Sequence, residues 1–297
     1  MLNVKQLILQ HAERLDALSV DSPRLSVELL FAHILQMSRS DLLKELMLRP
    51  GLSLEREIYT QALELLQRRE QGEPIAYILG EKEFYGRNFK VNYATLIPRP
   101  ETELIIDYAL AYLKDKDIPT LTFADLGTGS GCLAITLSLE LDILKNTHKN
   151  LKSFATALDI SSLALATAKN NANYHKCSNI LFCQSDLTKA CLQPQKFNLI
   201  VSNPPYVSEA EYKDLDREVK NFEPYSALVS DQNGLALPFK AIETAAFSLK
   251  SEGLFLMEFG WWQGEQILNA LNPEEWKDAK IIKDLSGLDR ILFAVKA

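Results

Sequence analysis

From Glu101 to the C-terminus, helix-like and strand-like stretches alternate, and four strand-like runs end at or beside a polar residue. A helix over Leu104–Leu113 leads to the apolar run Thr122-Phe123-Ala124-Asp125-Leu126, a Gly-rich turn and another helix. Further strands end near Asp159, Asp186 and Asn203, with a helix over Leu163–Asn173 between the first two. A helix near Leu235–Leu249 precedes a strand at Gly253–Phe259, and two last strands, Lys280–Lys283 and Arg290–Val295, flank Ser286-Gly287. Such alternation predicts an α/β fold, a parallel sheet covered by helices on both faces. The ligand crevice of an open sheet of this kind lies at the carboxyl ends of its strands. Asp125, Asp159, Asp186 and Asn203 are therefore expected at one site, although they are far apart in the chain.

The first seventy or so residues read differently, as entirely helical. Val4, Leu7, Ile8, His11 and Leu15 recur at helical spacing. Ser22-Pro23 has the form of an N-cap with proline at the first helical position, opening an apolar run from Leu25 to Leu35. Ser38 stands three residues before Asp41 in a capping-box arrangement, and Ser53 is expected to start another helix carrying Leu54, Ile58, Leu65 and Leu66. Gly72 and Pro74 end it. Residues 75–100 change character again: Phe84-Tyr85-Gly86-Arg87-Asn88-Phe89 suggests a short hairpin, and Ile97-Pro98-Arg99-Pro100 is extended and averse to helix. The chain thus divides into a small all-α bundle at 1–74, a hairpin linker at 75–100 and an α/β domain at 101–297. Lys145–Lys152 reads as a polar surface insertion, and no internal repeat is present.

Composition narrows the function classes. A net charge of −7 argues against a protein that grips nucleic acid mainly through phosphates. No run of about 18 apolar residues offers a membrane span. The opening MLNVKQLILQHAERLD carries charges through its apolar stretch, so it reads as an amphipathic helix and not as a signal peptide. The four cysteines form no C-x-x-C pair and read as reduced thiols of a cytoplasmic protein. The four histidines have no ligand partner at i+3 or i+4, which argues against a metal site. No apolar heptad stands out, and a monomer is expected.

Four segments carry the chemistry. Gly127-Thr128-Gly129-Ser130-Gly131 follows a strand and opens a helix, so its backbone can approach a ligand closely, or can simply make a tight connection. A dinucleotide fingerprint would need glycine where Cys132 stands. Asp159 is placed to accept from a ribose diol, or to cap the next helix, a task Ser161 could take. Asp186 can receive an amine or cap a helix. Asn203-Pro204-Pro205-Tyr206 closes an apolar strand with two residues that lack backbone donors. The Asn203 side-chain carbonyl and the Pro204 main-chain carbonyl suit a planar –NH2 group, with Tyr206 as an aromatic wall.

These motifs resemble the class I S-adenosylmethionine-dependent methyltransferases that modify planar nitrogens. Leu96-Ile97-Pro98-Arg99-Pro100-Glu101-Thr102-Glu103, Phe222-Glu223-Pro224, Glu258-Phe259-Gly260-Trp261 and Asp284-Leu285-Ser286-Gly287-Leu288-Asp289-Arg290 narrow the resemblance to the peptide-chain release factor glutamine methyltransferases, over nearly the whole chain. The chain departs from the family pattern at Leu187, often Trp, and at Asn221, often Arg. The resemblance implies a Rossmann-like, mostly parallel seven-stranded sheet behind a helical substrate-docking domain. It implies S-adenosylmethionine held by Gly127–Gly131, Asp159, Asp186-Leu187 and Asn203, with Asp125 steadying the turn. The acceptor it implies is the glutamine of the Gly-Gly-Gln motif in class I release factors, bound by Asn203, Pro204, Pro205 and Tyr206. Of these, Asn203, Pro204 and Tyr206 are the catalytic candidates. The alternatives are an N6-adenine or N4-cytosine nucleic-acid methyltransferase, an NAD-dependent oxidoreductase and a non-catalytic binding module.

Overall fold

The computed structural model describes residues 2–144, 152–187 and 193–297. Of the expected insertion only Lys152 falls among them; His148 and Cys191 lie outside. Two compact units emerge, one of residues up to Gly80 with Asp216–Phe222, the other of Glu81–Leu215 and Glu223–Ala297.

In the first unit, β1 (Leu2–Asn3) runs into α1 (Val4–Ala17), whose Val4, Leu7, Ile8, His11 and Leu15 form one buried face. α2 (Pro23–Ile34) begins with proline in its first turn, as expected. Ser22 precedes it at φ 48°, and its hydroxyl caps nothing; the Ser22 carbonyl instead accepts the Ser26 N–H at 3.0 Å. Ser38 does cap α3 (Arg39–Leu48), accepting the Asp41 N–H at 3.1 Å. The expectation that Ser53 opens a helix is corrected. Ser53–Leu54 (β2) pairs antiparallel with β1, and α4 (Arg56–Glu70) starts three residues later. The reason is burial: Leu54 is 3% exposed, and the Leu52 carbonyl accepts the Val4 N–H, extending that pairing. α5 (Ile75–Leu79) completes the bundle. Arg69, 2% exposed, pairs with Glu218 at 2.7 Å and donates to Ser26 and the Glu73 carbonyl, which satisfies a buried guanidinium.

The second unit opens with the expected hairpin, β3 (Glu81–Phe84) and β4 (Arg87–Lys90), turning at Tyr85-Gly86. α6 (Glu103–Leu113), β5 (Thr120–Leu126), α7 (Cys132–Leu144), β6 (Lys152–Asp159), α8 (Ser162–Tyr174), β7 (Ile180–Gln184) and β8 (Phe197–Ser202) follow. After α9 (Glu209–Asp214), α10 (Arg217–Phe222, in the first unit), α11 (Asp231–Gly234) and α12 (Ala236–Ser248) come β9 (Leu249–Glu258), α13 (Gly264–Asn269), β10 (Trp276–Lys283) and β11 (Asp289–Lys296). Seven described strands form one sheet in the order β10-β11-β9-β8-β5-β6-β7. β9, β8, β5, β6 and β7 pair in parallel, and β11 runs antiparallel to both its neighbours.

Alternation along the strands divides the core in two. Leu121, Phe123, Leu199, Val201, Leu254 and Leu256 pack on one face with α6 and α7, while Ala124, Leu126, Ile200, Phe255 and Met257 pack on the other with α12. A fully buried side chain of this kind contributes about 1.5–3 kcal/mol. From β5 the chain goes outward to β6 and β7, then returns to β8 on the other side of β5. The strand order reverses there, so the crevice opens outside the ends of β5 and β8. Among the described residues no helix is long and apolar enough to cross a membrane.

Candidate active site

The crevice holds a cavity of about 370 Å³ in the second unit, lined by Thr102, Gly127–Ser130, Cys132, Asp159–Ser161, Ser185–Leu187, Asn203–Pro205, and two loops at Ala94–Pro98 and Tyr225–Val229. Gly127 has φ +77° and Gly129 +55°, the left-handed region that favours glycine. At Gly129 an added Cβ would meet no atom within 4 Å, so this backbone is open to a ligand. Gly131 is different. It does not line the cavity, and at φ +82° its Cβ would stand 2.9 Å from Ile135 and 3.1 Å from Ala168; it lets α7 and α8 close together behind the turn.

Asp159 ends β6 with both carboxylate oxygens engaged. One accepts the Gly129 N–H at 2.8 Å and the other the Ser161 N–H at 2.9 Å, leaving lone pairs for a ligand. Burial lifts its pKa above the usual carboxylate value, and those N–H groups oppose the shift. Ser161 takes the cap of α8, accepting the Ala164 N–H at 3.1 Å. Asp186 and Leu187 line the cavity two and three residues past the end of β7, not at its last position. The chain bends there as the Leu187 carbonyl accepts the Thr244 hydroxyl at 2.5 Å. Burial pushes the Cys132 thiol up to about 12, which makes it a wall and not a nucleophile.

Asp125 stands behind the turn, fully buried. Its Oδ2 accepts the Thr128 hydroxyl at 2.7 Å and the Ala134 N–H at 3.2 Å, tying the turn to the start of α7. Burial raises its pKa from 3.8 to about 7. The native state thus keeps a proton that the unfolded chain releases across that interval, so this group's contribution to stability falls as pH rises. Relative to Asp125→Asn, the wild type is expected to lose stability by up to about 1.4 kcal/mol per unit between pH 5 and 7 and to level off above. Denaturant melts of both proteins at pH 5, 6, 7 and 8 check this; a constant difference contradicts it.

Asn203 follows β8 directly, and an added Cβ on Gly127 would come 3.9 Å from its carbonyl, so the two loops meet at the crevice. Its Nδ2 donates to the Thr102 hydroxyl at 3.1 Å, and that hydroxyl donates to Glu258 Oε2 at 2.6 Å. Among the described residues nothing donates to Asn203 Oδ1 or to the Pro204 carbonyl. Tyr206, expected as an aromatic wall, does not line the cavity. Its hydroxyl donates to Glu258 Oε1 at 3.0 Å, and its carbonyl accepts Gln263 Nε2 at 3.0 Å. Burial and the neighbouring Glu258 push its pKa up. The ring is turned away because these bonds anchor the loop from behind.

The segments flanking the site pair with one another. Arg99 donates to Glu223 at 2.5 Å, and the other oxygen of Glu223 accepts the Ile97 N–H at 3.1 Å, joining the two loops that wall the cavity. Asp284 Oδ1 accepts the Ser286 and Leu288 N–H groups, and its Oδ2 pairs with Arg290 at 3.1 Å, which shapes the β10–β11 turn. Thr102 and Glu258 lie inside the Pro-Glu-Thr-Glu and Glu-Phe-Gly-Trp segments, and a lone carboxylate closing an apolar strand is the one sequence signal that points to either.

Residues 119–287 match the model of a methyltransferase domain, and residues 6–80 that of the PrmC N-terminal domain. The chain is 44% identical to the release factor glutamine methyltransferase of Nitratidesulfovibrio vulgaris, over 97% of this chain and 93% of that one. It belongs to the release factor glutamine methyltransferase family. The Salmonella typhimurium relative of the same name is 37% identical over 91% of each chain. Among solved structures, the hMettl16 catalytic domain aligns with TM-score 0.52 at 12% identity, over 82% of each chain. The Thermus thermophilus 16S rRNA N2 G1207 methyltransferase aligns at 0.50 and 16%, over 73% of this chain and 50% of that one. The two share the fold with this member of the family. The expected α/β class, with its mostly parallel seven-stranded sheet and N-terminal helices, holds.

Proposed function

We propose that this enzyme transfers a methyl group from S-adenosylmethionine to the side-chain amide nitrogen of the Gly-Gly-Gln glutamine in class I release factors. The observation that carries the reading is the pair of unengaged acceptors at the cavity wall, Asn203 Oδ1 and the Pro204 carbonyl, in a chain of this family.

The cavity fits the cofactor. Its volume lies in the range of small-molecule sites, about 300–1,000 Å³. The open backbone at Gly127 and Gly129 can lie against the methionine moiety with Thr128 and Ser130. Asp159 retains lone pairs for a ribose diol, and Asp186 and Leu187 stand where an adenine would rest. Gly131 and Asp125 support the turn from behind. When bound, S-adenosylmethionine supplies an electrophilic methyl carbon on a sulfonium centre.

An amide nitrogen is a poor nucleophile, because its lone pair is delocalised into the carbonyl. Asn203 Oδ1 and the Pro204 carbonyl each accept one N–H of the substrate amide and so fix the nitrogen's direction. Such orientation can supply several kcal/mol of the barrier, about 7–11 at best. The same oxygens favour positive charge growing on that nitrogen. The nitrogen takes the methyl group as the methyl–sulfur bond breaks, leaving S-adenosylhomocysteine, and it releases one proton after transfer. Pro205 stiffens the loop, and Tyr206 holds it through Glu258. The helical residues at 1–74 are assigned to docking the release factor, supported by the match to the PrmC N-terminal domain.

The test is transfer of labelled methyl to a purified class I release factor, to its Gly-Gly-Gln glutamine→Ala variant and to duplex DNA. Label on the wild-type factor alone is expected; label on DNA alone overturns the substrate. Asp159→Ala is expected to weaken S-adenosylmethionine binding about 10-fold or more, since it removes ligand acceptors and the brace on Gly129. Calorimetric titration reads this, and an unchanged affinity contradicts the assignment.

A further inference from the structure

We infer that Thr102 and Glu258 are positioning residues that set which end of the Asn203 amide faces the cavity, making the site a pair of acceptors and selecting an –NH2 group. The consequence for substrate choice rests on the proposed function; the orientation itself rests on the hydrogen-bond chain alone.

Direction follows from counting protons. Glu258 is 1% exposed, and burial pushes its pKa up. The Thr102 and Tyr206 hydroxyls and Arg290 oppose that shift, and with each oxygen taking a hydroxyl proton the carboxylate acts as an acceptor. The Tyr206 hydroxyl occupies one of its oxygens and the Thr102 hydroxyl the other, at 3.0 and 2.6 Å. Thr102, 2% exposed, has a single hydroxyl proton, and that proton is committed to Glu258. Its oxygen can then only accept from Asn203, 3.1 Å away, so the NH2 end of Asn203 must face it. Oδ1 is thereby turned to the side where the substrate amide is proposed to lie. A flipped Asn203 would set a donor against the substrate's own N–H donors and leave Thr102 opposite an acceptor. The relay thus discriminates a side-chain amide from a carboxylate, which has no N–H to offer two acceptors.

The chain is built from segments far apart, the Pro-Glu-Thr-Glu turn, the end of β9 and the loop after β8. Thr102 lines the cavity beside Asn203, while Glu258 and Tyr206 stand behind the lining; all three work through Asn203 and its loop.

The experiment compares the full-length wild type with Thr102→Val, which keeps shape and removes the hydroxyl, and Thr102→Ser, which restores it. In protein labelled with nitrogen-15 at asparagine and free of ligand, the Asn203 side-chain signal is identified by its loss in Asn203→Asp. One of its protons is expected to exchange slowly with water in the wild type and in Thr102→Ser, and about 10-fold faster or more in Thr102→Val. Thr102→Val is also expected to lower kcat about 10-fold or more while S-adenosylmethionine affinity stays within about 2-fold, and Thr102→Ser to recover most of that loss. Unchanged Asn203 exchange in Thr102→Val overturns the relay. So does a parallel fall of kcat, cofactor affinity and Tm, the mark of a merely structural role. A wild type that methylates no release factor overturns the proposed function, while the exchange comparison still decides the orientation.

Discussion

Asn203→Ala is expected to lower kcat for release-factor methylation by about 100- to 1,000-fold, the range for losing one preorganised group aimed at developing charge. Binding of S-adenosylmethionine is expected to change by no more than about 3-fold, because Asp159, Asp186 and the open backbone of the glycine turn remain. The asymmetry follows from geometry. Nδ2 of Asn203 is spent on Thr102, and its Oδ1 is the only part of the side chain left to meet a substrate amide. Single-turnover rates with saturating cofactor, beside calorimetric titration, measure the two quantities separately. Equal losses in both would remove Asn203 from the transfer step and make it a wall of the cofactor pocket.

The largest stability effect is expected at Gly234. It adopts φ +84°, and a Cβ there would lie 2.1 Å from the Tyr206 carbonyl and 2.8 Å from the Gln263 amide. Left-handed strain costs about 1–3 kcal/mol, and forcing atoms into a packed site costs about as much again. Gly234→Ala is therefore expected to lower Tm by roughly 10 °C or more. Because the atom displaced belongs to the Asn-Pro-Pro-Tyr loop, turnover is expected to fall even well below the melting range. Gly287→Ala is the control: φ is +81°, but nothing lies within 4 Å of the new Cβ. Its cost is the strain alone, about 1–3 kcal/mol, without a loss of kcat. Thermal melts and rates on both variants test this; similar behaviour of the two would contradict the steric account.

The architecture was legible because its signals are local. Apolar runs ending in Asp125, Asp159 and Asn203 mark the ends of parallel strands, and the order reversal between β5 and β8 brings those ends together. Gly127 and Gly129 stand where a turn after a strand predicts them, open to the crevice. What sequence spacing hid depends on partners far along the chain. Ser53 looks like a helix start until β1 pairs with it. Gly131 reads like its neighbours, yet it serves helix packing, which only the position of Ala168 reveals. Tyr206 reads as an aromatic wall, and only the buried carboxylate of Glu258 turns its hydroxyl inward. Thr102 and Glu258 carry no periodicity at all, and their function exists only once α6, β8 and β9 have assembled around Asn203.

The central claim is that the unengaged oxygens of Asn203 and Pro204 aim one amide nitrogen at the methyl donor. The most direct measurement is fragmentation mass spectrometry of the release-factor peptide containing Gly-Gly-Gln, after incubation with enzyme and S-adenosylmethionine. The account predicts a single added methyl group on the glutamine side chain, present with wild-type enzyme and nearly absent with Asn203→Ala. A methyl group on any other residue, or equal modification by both enzymes, contradicts it.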